Sequence, residues 1–488
     1  MNKQPILTGF PSTFFATAKR RYQAGIRAAK QEAIAKSISG YSQMFEDVLP
    51  SRLLAKNDPT IRQRSFGHIP TFWAWLGQIM EANASCSKAL SLIQSWYQAA
   101  GLQVPKGDTS GFCQARKRLQ IDFIKTLSSQ VSSQLEKRTQ DCDLWNGLKL
   151  KAIDGSSVQL MDSEANQQVY PQPPTQKPGC GYPVMGFVGV VNLCHGGWEG
   201  FETCQWKKHD ARVAPKLLKY VADGDLLMGD RAFCSYEIIG LTQQRGGHVL
   251  MRLHQARQRK LDWRKGRKVS PIERIVTWKK PSTQPEKSDL SSEQWDNLPS
   301  EMELRYIRVG FEDRSGLKRT LVVVTTLLDH IRYDAVELAD LYAKRWEIEV
   351  KLRDVKTTMG LEKFAVKTPE MAHKTLIMMM LAYNLIRCLM QKSTTLTGIS
   401  NSRLSFKGVL DVITSSQSYF MGLRARSRNL KACWTSLIGT CATKTLSIRP
   451  FRKEPRAQKQ RPKNYQLLTE SRHTFREISH RGAKRSAA

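Results

Sequence analysis

The apolar positions in the first half of the chain predict three successive β-strands. Residues Leu148–Asp154 alternate apolar with polar side chains and then reach a turn-forming Asp-Gly-Ser-Ser sequence. Two longer runs, Val184–Cys194 and Trp198–Trp206, flank a tight His-Gly-Gly turn at residues 195–197. These strands are expected to pair antiparallel, and the first should deliver Asp154 at its carboxyl end. An Asp in such a turn is commonly only a turn former.

A short apolar run further along predicts a buried strand that delivers a second carboxylate. Residues Asp225–Gly229 follow a predicted helix, Ala211–Asp223, and precede Asp230 and Arg231. Open sheets place their sites outside the carboxyl ends of the strands, so Asp154 and Asp230 are expected to be neighbours. Other acids are poorer candidates because they lie beyond or before the two strands, namely Asp162, Asp223 and Asp225.

Residues Tyr342–Lys356, which we call the signature segment, contain no Gly or Pro and predict one continuous helix of about four turns. At about 100° per residue, Tyr342, Arg345, Glu349 and Lys356 share a sector roughly 60° wide. The two cations and the phenol could bind a phosphate, but the carboxylate between them would repel it. A divalent cation between the carboxylate and the phosphate would remove that repulsion, because hard cations take oxygen ligands from both. Arg345 and Glu349 are also an ordinary i,i+4 surface pair.

The spacing Tyr-x2-Arg-x3-Glu-x6-Lys resembles the signature of the insertion-sequence-four group of bacterial transposases. These enzymes are members of the DDE recombinase class and have a ribonuclease-H-like catalytic core. The resemblance covers about residues 148–392 and is carried mainly by the signature segment, because the two Asp motifs are short. It implies that Asp154, Asp230 and Glu349 hold two Mg²⁺ or Mn²⁺ ions. It also implies that four side chains position phosphates, namely Arg231, Tyr342, Arg345 and Lys356.

The charge of the chain favours a polyanionic partner. Its 76 Lys and Arg residues exceed its 43 Asp and Glu residues, which gives a net charge of +33. A membrane is a weaker alternative, because the apolar run Leu376–Met390 is too short to span one and contains Asn384 and Arg387. We expect that run to be a buried helix. The expected partner is therefore double-stranded DNA and not a membrane.

The expected cellular compartment is inferred from two features that the sequence does not contain. No export signal is recognised at the amino terminus, and the ten cysteines include no Cys-x2-Cys pair. Reduced thiols and a cytoplasmic, nucleoid-associated protein are expected. The histidines, among them His195, His209 and His373, lack partners at metal-ligand spacing and are interpreted as structural or surface residues.

Changes of pattern divide the chain into five predicted regions. The fold class is α/β, a ribonuclease-H-like core interrupted by a β-strand insertion and preceded by a helical region. The amino-terminal region holds two basic clusters, Lys19–Arg21 and Gln114–Arg118, which suit DNA or are simply solvated helix faces. The insertion holds Trp263, Trp278 and Trp295, which are interpreted as core residues. In some members of the group that the chain resembles, a tryptophan of the insertion stacks on a flipped base beside the cleavage site, and the sequence does not select one of the three for that role. The regions are 1–145, helical and DNA-binding; 146–253, first part of the core; 254–330, β-rich insertion; 331–395, second part of the core; and 396–488, helical, then basic and flexible.

Function follows from the resemblance together with the charge. The expected activity is metal-dependent strand cleavage at the ends of an insertion sequence and strand transfer into target DNA. The expected DNA partners are terminal inverted repeats and target DNA, with self-association in a synaptic complex. Two alternatives stay open: a catalytically silent DNA-binding relative and a metal-dependent nuclease that acts without transfer.

Overall fold

The computed structural model describes residues 20, 40–58, 66–99, 101, 103–105, 108–206, 210–286, 288–312, 318–421, 428–447 and 467–475. The described residues fall into two compact units. One lies within Met1–Val131 and Cys388–Thr445, the other within Ser132–Arg387 and Leu446–Ala488. Of the predicted basic cluster Lys19–Arg21, Lys19 and Arg21 lie outside the described residues.

Helices dominate the first unit, and their apolar faces form its core. The fully buried side chains include Phe72, Trp75, Trp96 and Phe420, which supply large apolar areas. The helices of this unit, with two that continue into the second, are Gly40–Met44, Ser51–Asn57, His68–Met80, Cys86–Ala99, Ser110–Arg118, Ile121–Glu136, Pro369–Thr397, Phe406–Phe420 and Arg428–Ala442.

The second unit is built on one mixed β-sheet. Its strands are β1 (Lys149–Leu160), β2 (Val184–Asn192), β3 (Trp198–Gln205), β4 (Asp225–Gly229), β5 (His248–Arg252), β6 (Arg267–Ser270), β7 (Glu273–Lys279), β8 (Glu301–Glu312), β9 (Lys318–Thr325) and β10 (Lys363–Phe364). The order across the sheet is β3-β2-β1-β4-β5-β9-β8-β7-β6, and β10 also pairs with β1. The α-helices of this unit are Glu164–Val169, Asp210–Val213, Tyr236–Gln244, Gln255–Arg259, Ser292–Asp296, Ala335–Ala343 and Trp346–Arg353.

The predicted antiparallel start is confirmed, since β2 pairs antiparallel with both β1 and β3. The predicted end of the first strand is wrong. β1 continues for six residues past Asp154, to Leu160, and the turn-forming residues all pair with β2. A ladder along the whole strand outweighs the local preference of Asp-Gly-Ser-Ser for a turn. The predicted helix Ala211–Asp223 is shorter, ending at Tyr220, and its second part is a 3₁₀-helix.

The strands between β5 and the signature segment extend the same sheet. β9 pairs antiparallel with β5 on one side and with β8 on the other. The three tryptophans of this stretch belong to the apolar core or pack against it. The indole of Trp278 donates to the Tyr306 hydroxyl at 2.6 Å, and the Trp263 indole donates to the Pro271 carbonyl at 3.2 Å. These contacts support the interpretation as core residues.

The apolar run at 376–390 and the carboxy-terminal region can also be compared with their predictions. The apolar run at 376–390 lies in the helix Pro369–Thr397, whose middle is buried as predicted. In the described part of the chain, no helix is both long and apolar enough to cross a membrane. Within the region expected to be flexible, Leu467–Phe475 has a defined place against the second unit's sheet loops.

Candidate active site

Parallel pairing of β1 with β4 brings the two predicted Asp residues side by side. Ile153 of β1 is the register partner of Gly229, the last residue of β4. Asp154 follows Ile153 directly, and Asp230 follows Gly229 directly. On this side of β1, β10 pairs only from Gln159 onward, so no described strand pairs with β1 between the end of β4 and the start of β10. Asp154 therefore lies inside a long strand, at the point where its neighbouring strand has ended.

The signature segment is helical but not continuous, which corrects the prediction of a single helix. The helix Ala335–Ala343 ends just after Tyr342, and a second helix, Trp346–Arg353, carries Glu349. The junction tightens into i→i−3 hydrogen bonds, for example from Arg345 N to Tyr342 O at 3.0 Å. The last part, Asp354–Thr358, is a π-helix and carries Lys356. The composition contains no Gly or Pro to mark either change.

Asp154 is influenced electrostatically by the other two predicted acids. Burial raises the pKa of Asp154 to about 6, and Asp230 and Glu349 both add to that increase through their negative charge. Arg345 opposes it, together with a hydrogen bond from the Gly155 N–H at 2.9 Å. Asp230 accepts a hydrogen bond from the Ala232 N–H at 2.8 Å through one oxygen. The structure thus brings the three predicted acids into one cluster, in which burial and the charges of Asp230 and Glu349 make ionisation of Asp154 less favourable.

The cations of the signature segment lie at the same cluster. Arg345 Nη2 donates to Glu349 Oε1 at 2.9 Å, the predicted i,i+4 pair, and its side chain is 17% exposed. Burial lowers the pKa of Lys356, while the charge of Asp154 acts in the opposite direction. Both cations are therefore held near carboxylates in a partly desolvated place, where their charge acts more strongly than at a free surface.

Tyr342 and Arg231, the other two predicted phosphate-binding residues, differ in exposure. Tyr342 is buried, and burial raises its pKa to about 12, with Arg345 acting in the opposite direction and Asp230 adding to the increase. The Arg345 guanidinium lies 6.0 Å from the Tyr342 ring centroid. Arg231 is exposed, and its Nη1 lies 3.5 Å from Gln255 Oε1. Tyr342 belongs to the wall of the cluster, whereas Arg231 faces outward.

Two residues of the signature segment could not be interpreted correctly from helical spacing. Lys351 is about 140° from Lys356 on an ideal helix, which suggests a solvated side chain. Burial instead lowers the pKa of Lys351 to about 8, and Arg387 lowers it further. Trp346 exposes 57% of its surface beside Arg345, although a tryptophan on a helix is usually interpreted as core.

The acids judged to be poorer candidates have other partners. Asp225 is 1% exposed at the start of β4, and its Oδ2 lies 3.0 Å from Lys151 Nζ. Asp162, which follows β1, lies 3.3 Å from Arg472 Nη2. Both carboxylates are therefore used in ion pairs at places away from the end of β4.

A second group of ligand-type side chains lies at the other end of β1. Glu136, His195 and Glu199 have ligand atoms within 4.8 Å of one another, among the described residues. His195 is therefore buried next to two carboxylates, which the sequence spacing did not show. Its Nδ1 accepts a hydrogen bond from the Gly197 N–H at 3.0 Å, so the ring proton lies on Nε2, facing oxygens of Glu136 at 3.5 Å and Glu199 at 3.8 Å.

This second group fits an ion-pair network better than a metal centre. A metal-bound histidine normally donates from its other ring nitrogen, and here that nitrogen accepts. Lys149 contacts Glu136, and Lys151 Nζ lies 3.6 Å from Glu199 Oε1. The two lysines already supply the positive charge that the carboxylates need. This second group is therefore interpreted as an ion-pair network of the fold.

Comparison with known proteins identifies the family of the chain. Residues 145–385 match the family described as the transposase DDE domain, a range that contains all three acids. The transposase InsG for insertion sequence element IS4 of Escherichia coli (strain K12) is 24% identical over 447 residues, covering 90% of this chain and 95% of that protein. The putative transposase InsZ of the same strain is 26% identical over 138 residues, 28% of this chain and 46% of that protein. A cryo-EM structure of a piggyBac transposase synaptic complex with hairpin DNA aligns with a TM-score of 0.42 and 10% identity, over 84% of this chain and 82% of that one.

The chain is thus a DNA transposase of the DDE class, an enzyme whose family uses divalent metal ions. Within that class it belongs to the insertion-sequence-four group, as the spacing in the signature segment indicated.

Proposed function

We propose that the protein cleaves DNA strands at the ends of an insertion sequence and transfers the new 3′ ends into target DNA, using Asp154, Asp230 and Glu349. The observation that carries this proposal is the convergence of the three acids beside the end of β4, together with Arg345. Arrangements in which neighbouring carboxylates raise the pKa of a buried carboxyl group are typical of functional sites, since a fold gains no stability from them.

The three acids fit a pair of divalent cations, Mg²⁺ or Mn²⁺. Hard cations take carboxylate oxygens and substrate phosphate oxygens together. Bound at this cluster, such ions would supply activation of the attacking oxygen and stabilisation of the leaving oxygen in an in-line displacement at phosphorus. Because Asp154 is half neutral at about pH 6 by its pKa, added positive charge would also favour its ionised form.

The other side chains of the cluster would act on the DNA backbone. Arg345 and Lys356 would bind phosphate oxygens next to the scissile bond, and the pairing of Arg345 with Glu349 would fix the direction of its guanidinium. Tyr342 would support Arg345 from the buried side. Arg231, which is exposed, would contact a more distant phosphate. Trp346 offers an exposed ring on which an unpaired base could stack.

We propose the same domain organisation as the sequence suggests, with a ribonuclease-H-like core in two parts around a β-rich insertion at residues 254–330. The strands β6–β9, all within that range, support the insertion. The helices between residues 40 and 136 support an amino-terminal helical region, and its basic residues suit terminal inverted repeats. Pairing of two ends would require self-association in a synaptic complex.

The direct test uses the full-length protein and a duplex that carries the element's terminal repeat. We expect binding that weakens steeply between 50 and about 200 mM salt, because +33 charges face a polyanion. We expect nicked and joined products with Mg²⁺ or Mn²⁺ and none with EDTA. Nicking without joined products would favour the nuclease alternative, and binding without cleavage in either metal would favour the silent relative.

Alanine variants of the signature segment test the roles of its cations. Arg345→Ala and Lys356→Ala are expected to slow cleavage about ten- to a hundredfold, the effect of losing a charge-assisted hydrogen bond to phosphate. Arg353→Ala is the matched control, because Arg353 is an exposed cation on the same helix. Lys351 is unsuitable as a control because it is partly buried in the apo protein. Equal losses in all three variants would mean that only general basicity matters.

A further inference from the structure

The segment Leu467–Phe475, which we call the C-terminal strap, lies against the loop that joins β1 to β2. Leu468 N donates to Cys180 O at 2.8 Å, and Arg472 N donates to Gly179 O at 2.9 Å. Gly179 has a φ of +77°, and a Cβ added there would lie 2.3 Å from a strap hydroxyl. The loop backbone is therefore shaped to let the strap approach closely.

One side chain of the strap makes most of its polar contacts. The guanidinium of Arg472 lies 3.3 Å from Asp162 Oδ1 and 3.4 Å from Oδ2. It also donates to Gln172 Oε1 at 3.4 Å and to the carbonyl of Gly181. The side chain is only 29% exposed. The planar fork of an arginine suits such a set of acceptors, and the point charge of a lysine does not.

These acceptors belong to a hydrogen-bond network that closes the loop on itself. Gln167 Nε2 donates to Asp162 Oδ1 at 2.8 Å and to Gly181 O at 3.0 Å. The backbone N–H of Gln172 donates to Gln167 Oε1 at 3.1 Å, and that of Gly181 to Gln172 Oε1 at 3.1 Å. Arg472 contacts three of these four residues, namely Asp162, Gln172 and Gly181. Removal of its side chain would leave oxygen acceptors on all three without this cationic donor.

The same loop holds together the two chain segments that carry the acids. Asn166, which is fully buried, donates from Nδ2 to Met161 O at 3.0 Å, just past the end of β1. The same amide nitrogen donates to Val366 O at 2.9 Å, in the stretch that follows the signature segment. β1 carries Asp154, and the signature segment carries Glu349. The loop therefore links these two segments, in addition to the pairing of β10 with β1.

We propose that Arg472 is a positioning residue: the strap clamps the β1–β2 loop and so fixes the separation of the segments that carry Asp154 and Glu349. The proposal rests on the proposed function for its effect on cleavage. Its structural part, the clamping of the loop, is independent of that function. The side-chain contacts of Arg472 are with the loop and not with Asp154, Asp230 or Glu349, so its effect on cleavage would be transmitted through the loop.

The test compares three full-length variants with the wild type. In Arg472→Ala, backbone amides of residues 162–181 are expected to exchange hydrogen for deuterium at least about tenfold faster, since local opening becomes easier. End binding is expected to stay unchanged, while single-turnover cleavage slows on the order of tenfold from the displaced acids. Arg472→Lys should be intermediate, and His473→Ala, an exposed neighbour in the strap, should behave as wild type.

A double-mutant cycle with Asp162→Asn checks the contact itself. The double variant is expected to be no slower in cleavage than Arg472→Ala, because both changes break the same contact. Unchanged exchange in Arg472→Ala would overturn the clamp. Faster exchange with an unchanged cleavage rate would overturn the positioning role. A wild type that binds ends but never cleaves would refute the proposed function, and the exchange result would still decide whether Arg472 clamps the loop.

Discussion

Replacing any one of the three acids by its amide is expected to reduce Mg²⁺-dependent cleavage by about a thousandfold or more and to leave end binding intact. The variants are Asp154→Asn, Asp230→Asn and Glu349→Gln. An amide offers a neutral oxygen where two dications need negative charge, and losing several kcal/mol of such stabilisation corresponds to that factor. Binding should be equal or slightly tighter, because a carboxylate no longer repels phosphate.

The measurement is a gel shift and a cleavage reaction on the same four proteins, wild type included. Asp340→Asn is a suitable control, since Asp340 is an exposed acid in the second unit. A variant that cleaved at the wild-type rate would show that its residue is not a metal ligand. Loss of binding in parallel with cleavage would point to damaged folding, and the assignment of the triad would then lack support.

Asp154→Asn is also expected to stabilise the metal-free protein by up to about 3 kcal/mol at pH 8. Burial raises the pKa of Asp154 to about 6, from an ordinary value of 3.8. A raised folded-state pKa means that the ionised carboxylate destabilises the fold. The wild type therefore loses stability as the pH rises from about 4 through 6, at about 1.4 kcal/mol per unit of pKa difference. The neutral amide avoids this loss.

The midpoint of thermal unfolding, measured at different pH values and with or without Mg²⁺, separates the loss of the Asp154 charge from a general change in stability. At pH 5 the advantage of Asp154→Asn should shrink to about half, because the wild-type carboxylate is then mostly protonated in the folded state. Mg²⁺ should raise the midpoint of the wild type and not that of the variant. A variant that is less stable than wild type in EDTA at pH 8 would contradict the picture of a strained carboxylate, whereas Asp340→Asn should change little.

The sequence allowed the first four strands of the sheet to be predicted, because β2 and β4 are apolar runs bounded by turn residues. It did not show that β1 continues through Asp154-Gly-Ser-Ser. The pairing that keeps those residues extended comes from β2, some thirty residues away in the chain. Local turn preference and non-local pairing opposed each other here, and the pairing decided the outcome.

The candidate site was predictable to the extent that it depends on strand ends and helical spacing. The neighbouring positions of Asp154 and Asp230 follow from parallel strands. The lowered pKa of Lys351 arises from burial and from the charge of Arg387, which lies on another helix. The contacts of Arg472 depend on backbone carbonyls and amide side chains, which leave no periodic pattern. Spacing within one element cannot predict partners that other elements supply.

The continuity of the sheet also affects how the protein could be shortened. β5 is buried between β4 and β9, so its Val249, Leu250 and Met251 are covered on both sides. Cutting out residues 254–330 to obtain a minimal catalytic fragment would remove β9 and expose an apolar strand edge with unpaired N–H and C=O groups. Such edges recruit strands from other molecules and lead to aggregation. A shortened enzyme would therefore need a substitute strand at that edge, or a proline or charged residue that prevents pairing there.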